Sequence, residues 1–174
     1  MTSKSRMLLV AGLAVAAASI GLGASGYAVI AASNETAVQL ADLSPADAIA
    51  ERQKLMKGNG AAAKTIDGFV EGGTGTADDV AKNAAAIKDN AAKIPDLFPK
   101  GTSIDDNVAK TAAKKEIWDN FDDFKAKATK LGELAGALEA AAGTGDKDKI
   151  TAAFNAMGKD GCGGCHTLYK QKTQ

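Results

Sequence analysis

Cys162-Gly163-Gly164-Cys165-His166 lies near the end of the 174-residue sequence, just before Tyr169 and Lys170, and the rest of the chain is read outward from it. C-x-x-C-H is the spacing of covalent c-type haem attachment. Two thiols three positions apart share one helical face, where they can add to the two vinyl groups along one porphyrin edge. The next residue can then give an imidazole nitrogen to the iron. His166 is the sole histidine, and Cys162 and Cys165 are the sole cysteines, so every thiol or imidazole ligand sits in these five residues. A zinc site wants about four N or S ligands, and a second protomer would have to complete one. A redox dithiol belongs at the start of a helix after a strand, and no strand pattern precedes Cys162. The motif predicts one covalent haem c on Cys162 and Cys165, with His166 as the proximal iron ligand.

Lys4 and Arg6 precede an uncharged stretch from Met7 to Ser33, the pattern of a secretory signal. Ala24-Ser25-Gly26 and Ala31-Ala32-Ser33 offer small residues for cleavage. The same stretch is long enough to span a bilayer, so a retained membrane anchor is the alternative. The expected layout is therefore a signal peptide or anchor over residues 1–33 and one haem domain over residues 34–174. That domain would lie in the periplasm, or face it from the inner membrane if the segment is kept. The chain carries 21 basic and 21 acidic residues; loss of Lys4 and Arg6 leaves 19 against 21. With no basic block and 5% aromatic residues, nothing points to a nucleic-acid partner.

Beyond the leader the pattern is helical. Alanine and lysine dominate, which favours helix, and no run alternates as a strand would. Ser44-Pro45-Ala46-Asp47 reads as a capped helix start. The face that follows carries Ala48, Ile49, Arg52, Leu55, Met56, Ile66 and Phe69, and Gly58 and Gly60 suggest a kink or a bulky neighbour. A second helix starts near Thr76 and carries Val80, Ala84, Ile87, Ala91 and Ile94; Pro95 and Pro99 end it. After a connection over 95–113, a third helix spans 114–142 with Ile117, Phe121, Phe124, Leu131 and Leu138 on one stripe. The fourth runs from about Asp146 to the end. Short turns imply antiparallel neighbours. The expected fold is all-α, an up-down-up-down four-helix bundle.

A four-helix chain with a C-terminal C-x-x-C-H, an early Arg52-Gln53-Lys54-Leu55-Met56 and a mid-chain Glu116-Ile117-Trp118 resembles the cytochrome c-prime family. The Ile94-Pro95-Asp96-Leu97-Phe98-Pro99 segment is similar to that of the family's low-spin branch, in which a first-helix methionine is the second axial ligand. The resemblance implies thioether links at Cys162 and Cys165, proximal ligation by His166 and distal ligation by Met56. It also implies a haem-propionate partner in Arg52, a haem-edge residue in Trp118 and a homodimer formed through the first two helices. Lys170 stands where many members have arginine, so the planar fork is missing there.

Without a second histidine, the residues open to the iron's sixth site are Met56, Met157 or a lysine, or the site stays open. Met157 is on the haem helix itself, on the proximal side. Arg52, at i−4 from Met56, shares its face, and a buried cation there needs an anion. With His/Met ligation the chain reads as a periplasmic electron carrier serving redox partner proteins. No acid–base constellation is visible, and no enzymatic activity is expected. If Met56 only packs over the iron, the alternative is a five-coordinate high-spin protein binding nitric oxide or carbon monoxide. A haem-free thiol–disulfide protein is the third reading.

Overall fold

The computed structural model describes residues 43–172; the expected signal or anchor segment lies outside them. The helices are α1 (Pro45–Gly72), α2 (Ala77–Lys93), α3 (Glu116–Asp119), α4 (Phe121–Ala142), α5 (Lys147–Ala156) and α6 (Gly164–Tyr169). A π-helical turn, Met157–Gly163, joins α5 to α6, and 3₁₀ turns occupy Pro95–Leu97 and Ile104–Asp106. The described residues contain no strand, only an isolated bridge between Ala113 and Lys170.

The ends of these helices are set by local chemistry. Ser44 accepts the Asp47 amide at 3.2 Å, and Pro45 needs no partner in the first turn. Gly73, at φ 64°, closes α1 by donating to the Gly68 and Phe69 carbonyls, a left-handed cap that glycine adopts without a Cβ clash. Thr76 and Asp79 form a reciprocal capping box at the start of α2. The Asp146 carboxylate takes the Asp148 and Lys149 amides at the start of α5.

Three sequence expectations change. α1 runs unbroken through Gly58 and Gly60, so these glycines do not interrupt it. The third helix is not continuous. Asn120 leaves helical geometry at φ −130°, ψ 44°, and both its amide and its side-chain nitrogen donate to the Glu116 carbonyl. Such local bonding is how asparagine competes with helix. The fourth helix widens to π geometry as it enters the haem motif and ends at Tyr169.

Around the bundle, α1 packs on α2, α2 on α4, α4 on α5 and α6, and α5 back on α1, giving the up-down-up-down order. The core is apolar: Ile66, Ile87, Phe124, Leu138, Ile150 and Met157 are each essentially fully buried. α2 and α4 approach closely because glycines face them. A Cβ on Gly132 would lie 3.6 Å from that of Ala91, and one on Gly136 would lie 3.4 Å from Lys88 Cδ.

The connection over 94–115 is pinned across one end. Ser103 and Asp106 cap each other, and the Ile104 amide donates to Ala113 at 2.8 Å. Beyond α6 the chain pairs with this connection, Lys114 N to Tyr169 O at 3.0 Å and Gln171 N to Ala112 O at 2.8 Å. Among the described residues no helix is long and apolar enough to cross a membrane.

Two glycines should respond oppositely to substitution. A Cβ at Gly161 would sit 2.9 Å from Leu131 Cδ1 and 3.5 Å from Leu131 Cα, so Gly161→Val is expected to cost about 1–3 kcal/mol by overpacking. Gly58 has open space around it in a helix interior, so Gly58→Ala is expected to add about 0.5–1 kcal/mol. Thermal unfolding of the two variants checks both signs.

Candidate functional site

Two cavities, of about 400 and 260 Å³, open between α1 and α6, together within the size range of small-molecule and cofactor sites. Both are lined by Met56, Cys165 and His166, so they are two halves of one slot. The first half continues to Arg52, Phe98, Ile117, Phe124 and Tyr169. The second continues to Gly60, Ile87, Leu131 and Cys162. α1 supplies one wall, the π turn and α6 the other, and apolar residues of α2 and α4 form the floor.

Cys162 sits in the π turn, and Cys165 and His166 in the first turn of α6. A π turn carries an extra residue, and here it brings both thiols and the imidazole to one slot. Burial raises the Cys162 thiol and pushes Cys165 up to about 11. A working redox dithiol needs the opposite shift. Burial, helped by Lys170, pushes the His166 imidazolium down, which favours the neutral ring that binds metals.

Met56 faces the slot from α1. Met157 is fully buried in the core and lines neither half, so Met56 is the one described methionine that reaches the site. Arg52, only 3% exposed, lines the first half one turn before it. Its Nη1 donates to Thr102 Oγ1 at 2.8 Å, and Nη2 donates to Thr102 O at 2.5 Å and to Thr111 Oγ1 at 2.7 Å. Its guanidinium carbon lies 4.6 Å from the Phe98 ring centroid. Burial pushes its pKa down to about 10, and no carboxylate among the described residues forms an ion pair with it. Thr102 and Thr111 carried no sequence signal, being single threonines in a long connection.

Trp118 lines neither half of the slot. Its indole N–H donates to Phe98 O at 3.0 Å and Pro99 O at 3.1 Å, and its ring lies 6.2 Å from that of Phe98. Its reach to the slot is therefore indirect, through Phe98, while its neighbour Ile117 lines the wall directly. Tyr169, which the sequence marked only as a flanking aromatic, lines the slot and donates to the Asp123 carboxylate at 2.5 Å. Lys170 lines the same half and holds the connection through its backbone bridge to Ala113.

The arrangement suits a covalent porphyrin. Two thiols and an imidazole stand on one wall, a thioether on the other, apolar residues lie between, and the buried Arg52 lines the first half. The family model for cytochrome c' matches residues 47–170. The chain belongs to the cytochrome c' family. It is 34% identical to cytochrome c' of Pararhodospirillum photometricum over 128 residues, 74% of this chain and 99% of that protein. It is 36% identical to cytochrome c-556 of Agrobacterium tumefaciens strain B2A over 125 residues, 71% of this chain and 97% of that one. The crystal structure of cytochrome c' from Thermochromatium tepidum superposes with a TM-score of 0.68 at 32% identity, covering 76% of this chain and all of that one. As a cytochrome c', the protein is a c-type cytochrome carrying one covalently bound haem c, and Cys162, Cys165 and His166 are the residues that fit its attachment.

The Tyr169 phenol is pushed up to about 12, by burial first and then by Asp123. A raised pKa means that the folded state keeps a proton the unfolded chain loses near pH 10. Tyr169 therefore contributes stability that is complete below about pH 10 and is lost toward pH 12. Denaturant unfolding between pH 8 and 12 should show a steeper alkaline loss for the parent protein than for Tyr169→Phe; equal slopes would assign the loss to other groups.

Proposed function

We propose that this cytochrome is an exported single-electron carrier whose iron is held by His166 and Met56. The observation that carries the reading is the shared lining: the imidazole on α6 and the thioether on α1 border both halves of one slot, and Met157 is in the core. When bound, the haem supplies a ferric/ferrous couple. His166, held neutral by burial, offers its nitrogen from one wall. Met56 would offer a thioether from the other wall, a His/Met pairing that would raise the potential and leave no room for a small ligand beside it. Phe98, Ile117 and Phe124 keep water from the slot. Arg52, oriented by Thr102 and Thr111, would pair with a haem propionate. Trp118 supports the haem edge by fixing the Phe98–Pro99 backbone. The lining contains no carboxylate and no imidazole besides His166, so no acid–base catalysis is assigned to it.

The remaining assignments follow the same reading. Residues 1–33 direct export, residues 34–174 form the haem domain, and the domain works in the periplasm with protein redox partners. One solved relative is described as a cytochrome c' with ligand-controlled dimer dissociation, and a homodimer is the corresponding state here.

The absorption spectrum of the reduced holoprotein tests the ligand pair. Sharp, split low-spin bands are expected, with no change on adding carbon monoxide. Met56→Ala should broaden the bands to high-spin form, admit carbon monoxide and lower the reduction potential. A high-spin, carbon monoxide-binding spectrum in the unmutated protein would sink the His/Met carrier and support the gas-binding alternative.

A further inference from the structure

Met56 and Asn59 stand at i and i+3 on α1 and so share a helical face. Both line the second half of the slot, across from His166 on α6. Most of what surrounds them there is apolar, Ile87, Ala128 and Leu131 included. The other side chains of that half able to donate a hydrogen bond are engaged elsewhere. Cys162 and Cys165 are the attachment thiols, His166 stands on the other wall, and Lys127 Nζ lies 3.7 Å from the Asp123 carboxylate. Asn59 is the one neutral amide among them.

That amide is held in one sense. An asparagine side chain has one carbonyl acceptor and two N–H donors. Asn90 on α2 donates through Nδ2 to Asn59 Oδ1 at 2.9 Å, across 31 residues. The bond ties the oxygen to α2 and leaves Nδ2 with no protein acceptor among the described residues. No buried side-chain nitrogen or oxygen among these residues lacks a partner, so Nδ2 reaches open space, and Asn59 borders the slot.

The neighbours on α1 leave this role to Asn59. Gln53, one turn before Met56, is the other α1 amide that borders the slot, and its Nε2 donates to the Lys110 carbonyl at 2.7 Å. A Cβ on Gly60 would meet no atom within 4 Å, so the residue after Asn59 does not crowd its amide. Hydrogen bonds from a neighbouring side chain orient a metal ligand and tune the metal it binds.

We propose that Asn59 is a positioning residue for the iron's sixth ligand: its amide donates a hydrogen bond to the Met56 sulfur, and Asn90 aims it. The inference rests on the His/Met reading. A thioether sulfur that has given one lone pair to a metal keeps a second, a weak acceptor. A donor on that lone pair draws electron density from the sulfur, and a less electron-rich ligand favours ferrous over ferric iron. The bond from Asn90 keeps the Asn59 oxygen turned away, so that only N–H groups face the thioether.

Potentiometry of the holoprotein tests the donor, with the reduced spectrum reporting ligation. Asn59→Leu is similar in size and cannot donate. It should stay low-spin and shift the redox equilibrium toward ferric iron about 3-fold, as the loss of one weak hydrogen bond would, or roughly 28 mV at about 59 mV per tenfold. Asn90→Leu should give a smaller shift of the same sign. The double variant should match Asn59→Leu alone, because Asn90 acts only through Asn59. An unchanged potential in Asn59→Leu, or additive losses in the double variant, would overturn the proposal. A second measurement does not need Met56 as a ligand. In Met56→Ala holoprotein with carbon monoxide bound, a donor beside the diatomic ligand lowers its C–O stretch, so adding Asn59→Leu should raise that frequency. An unchanged frequency would overturn the donor. A high-spin unmutated protein in which Asn59→Leu still raises the stretch defeats the ligand pair alone, and a low-spin protein with neither response defeats the donor alone.

Discussion

This bundle must close tightly on one side and stay open on the other. α2 and α4 meet through Gly132, Gly136 and alanines, with backbone and small side chains in near contact. Across the bundle, α1 and α6 face each other over a slot bordered by Met56 and His166. Close packing is the rule in protein interiors, so a space of this size is tolerable only if something fills it. A haem held by Cys162, Cys165 and His166 would complete the packing on that side. The few large aromatics respect this division. Phe98, Phe124 and Tyr169 cluster at one end of the slot, with ring centroids 4.7 and 5.5 Å apart along the chain of contacts, and leave the middle to the cofactor.

Arg52 lines the first half of the slot, buried and without a carboxylate partner among the described residues. Burying a cation is costly unless it is paired and hydrogen-bonded. Hydroxyl and carbonyl oxygens of Thr102 and Thr111 satisfy its geometry without cancelling its charge. Had a protein carboxylate taken that place, the guanidinium would have little attraction left for a ligand anion. The connection between α2 and α3 is ordered for this purpose: Trp118 fixes its start, the Ser103–Asp106 cap its middle, and the strand-like pairing with residues 169–171 its end.

Much of this was legible in the sequence. Ser44 caps its helix as its side chain suggested, and Thr76 and Asp146 start theirs where the pattern placed them, because capping is a local interaction over two or three residues. The haem motif was legible for the same reason, and the four-helix order followed from apolar spacing and short turns. What escaped was long-range or cooperative. Arg52 meets Thr102 and Thr111 across 50 and 59 residues, and Tyr169 meets Asp123 across 46; no local pattern encodes such pairs. Asn120 breaks the third helix through a bond that its helical stripe concealed. Gly161 of the π turn packs closely on Leu131, a tertiary contact. Trp118 lines neither half of the slot and bonds instead to the Phe98 and Pro99 carbonyls, 20 and 19 residues away.

The π turn also makes the chain sensitive to counting. An α-helix advances about 100° per residue, so one extra residue in a turn stores that much rotation between α5 and the haem motif. Met157 points into the core, and five residues later Cys162 must point into the slot. Deleting one residue between 158 and 161 would swing both thiols and the imidazole off the slot together, although each remained chemically intact. The open environment of Gly158 tolerates a different side chain. The segment is therefore permissive at Gly158, restricted at Gly161 and rigid in length, and natural variation there should appear as replacements, not as insertions or deletions.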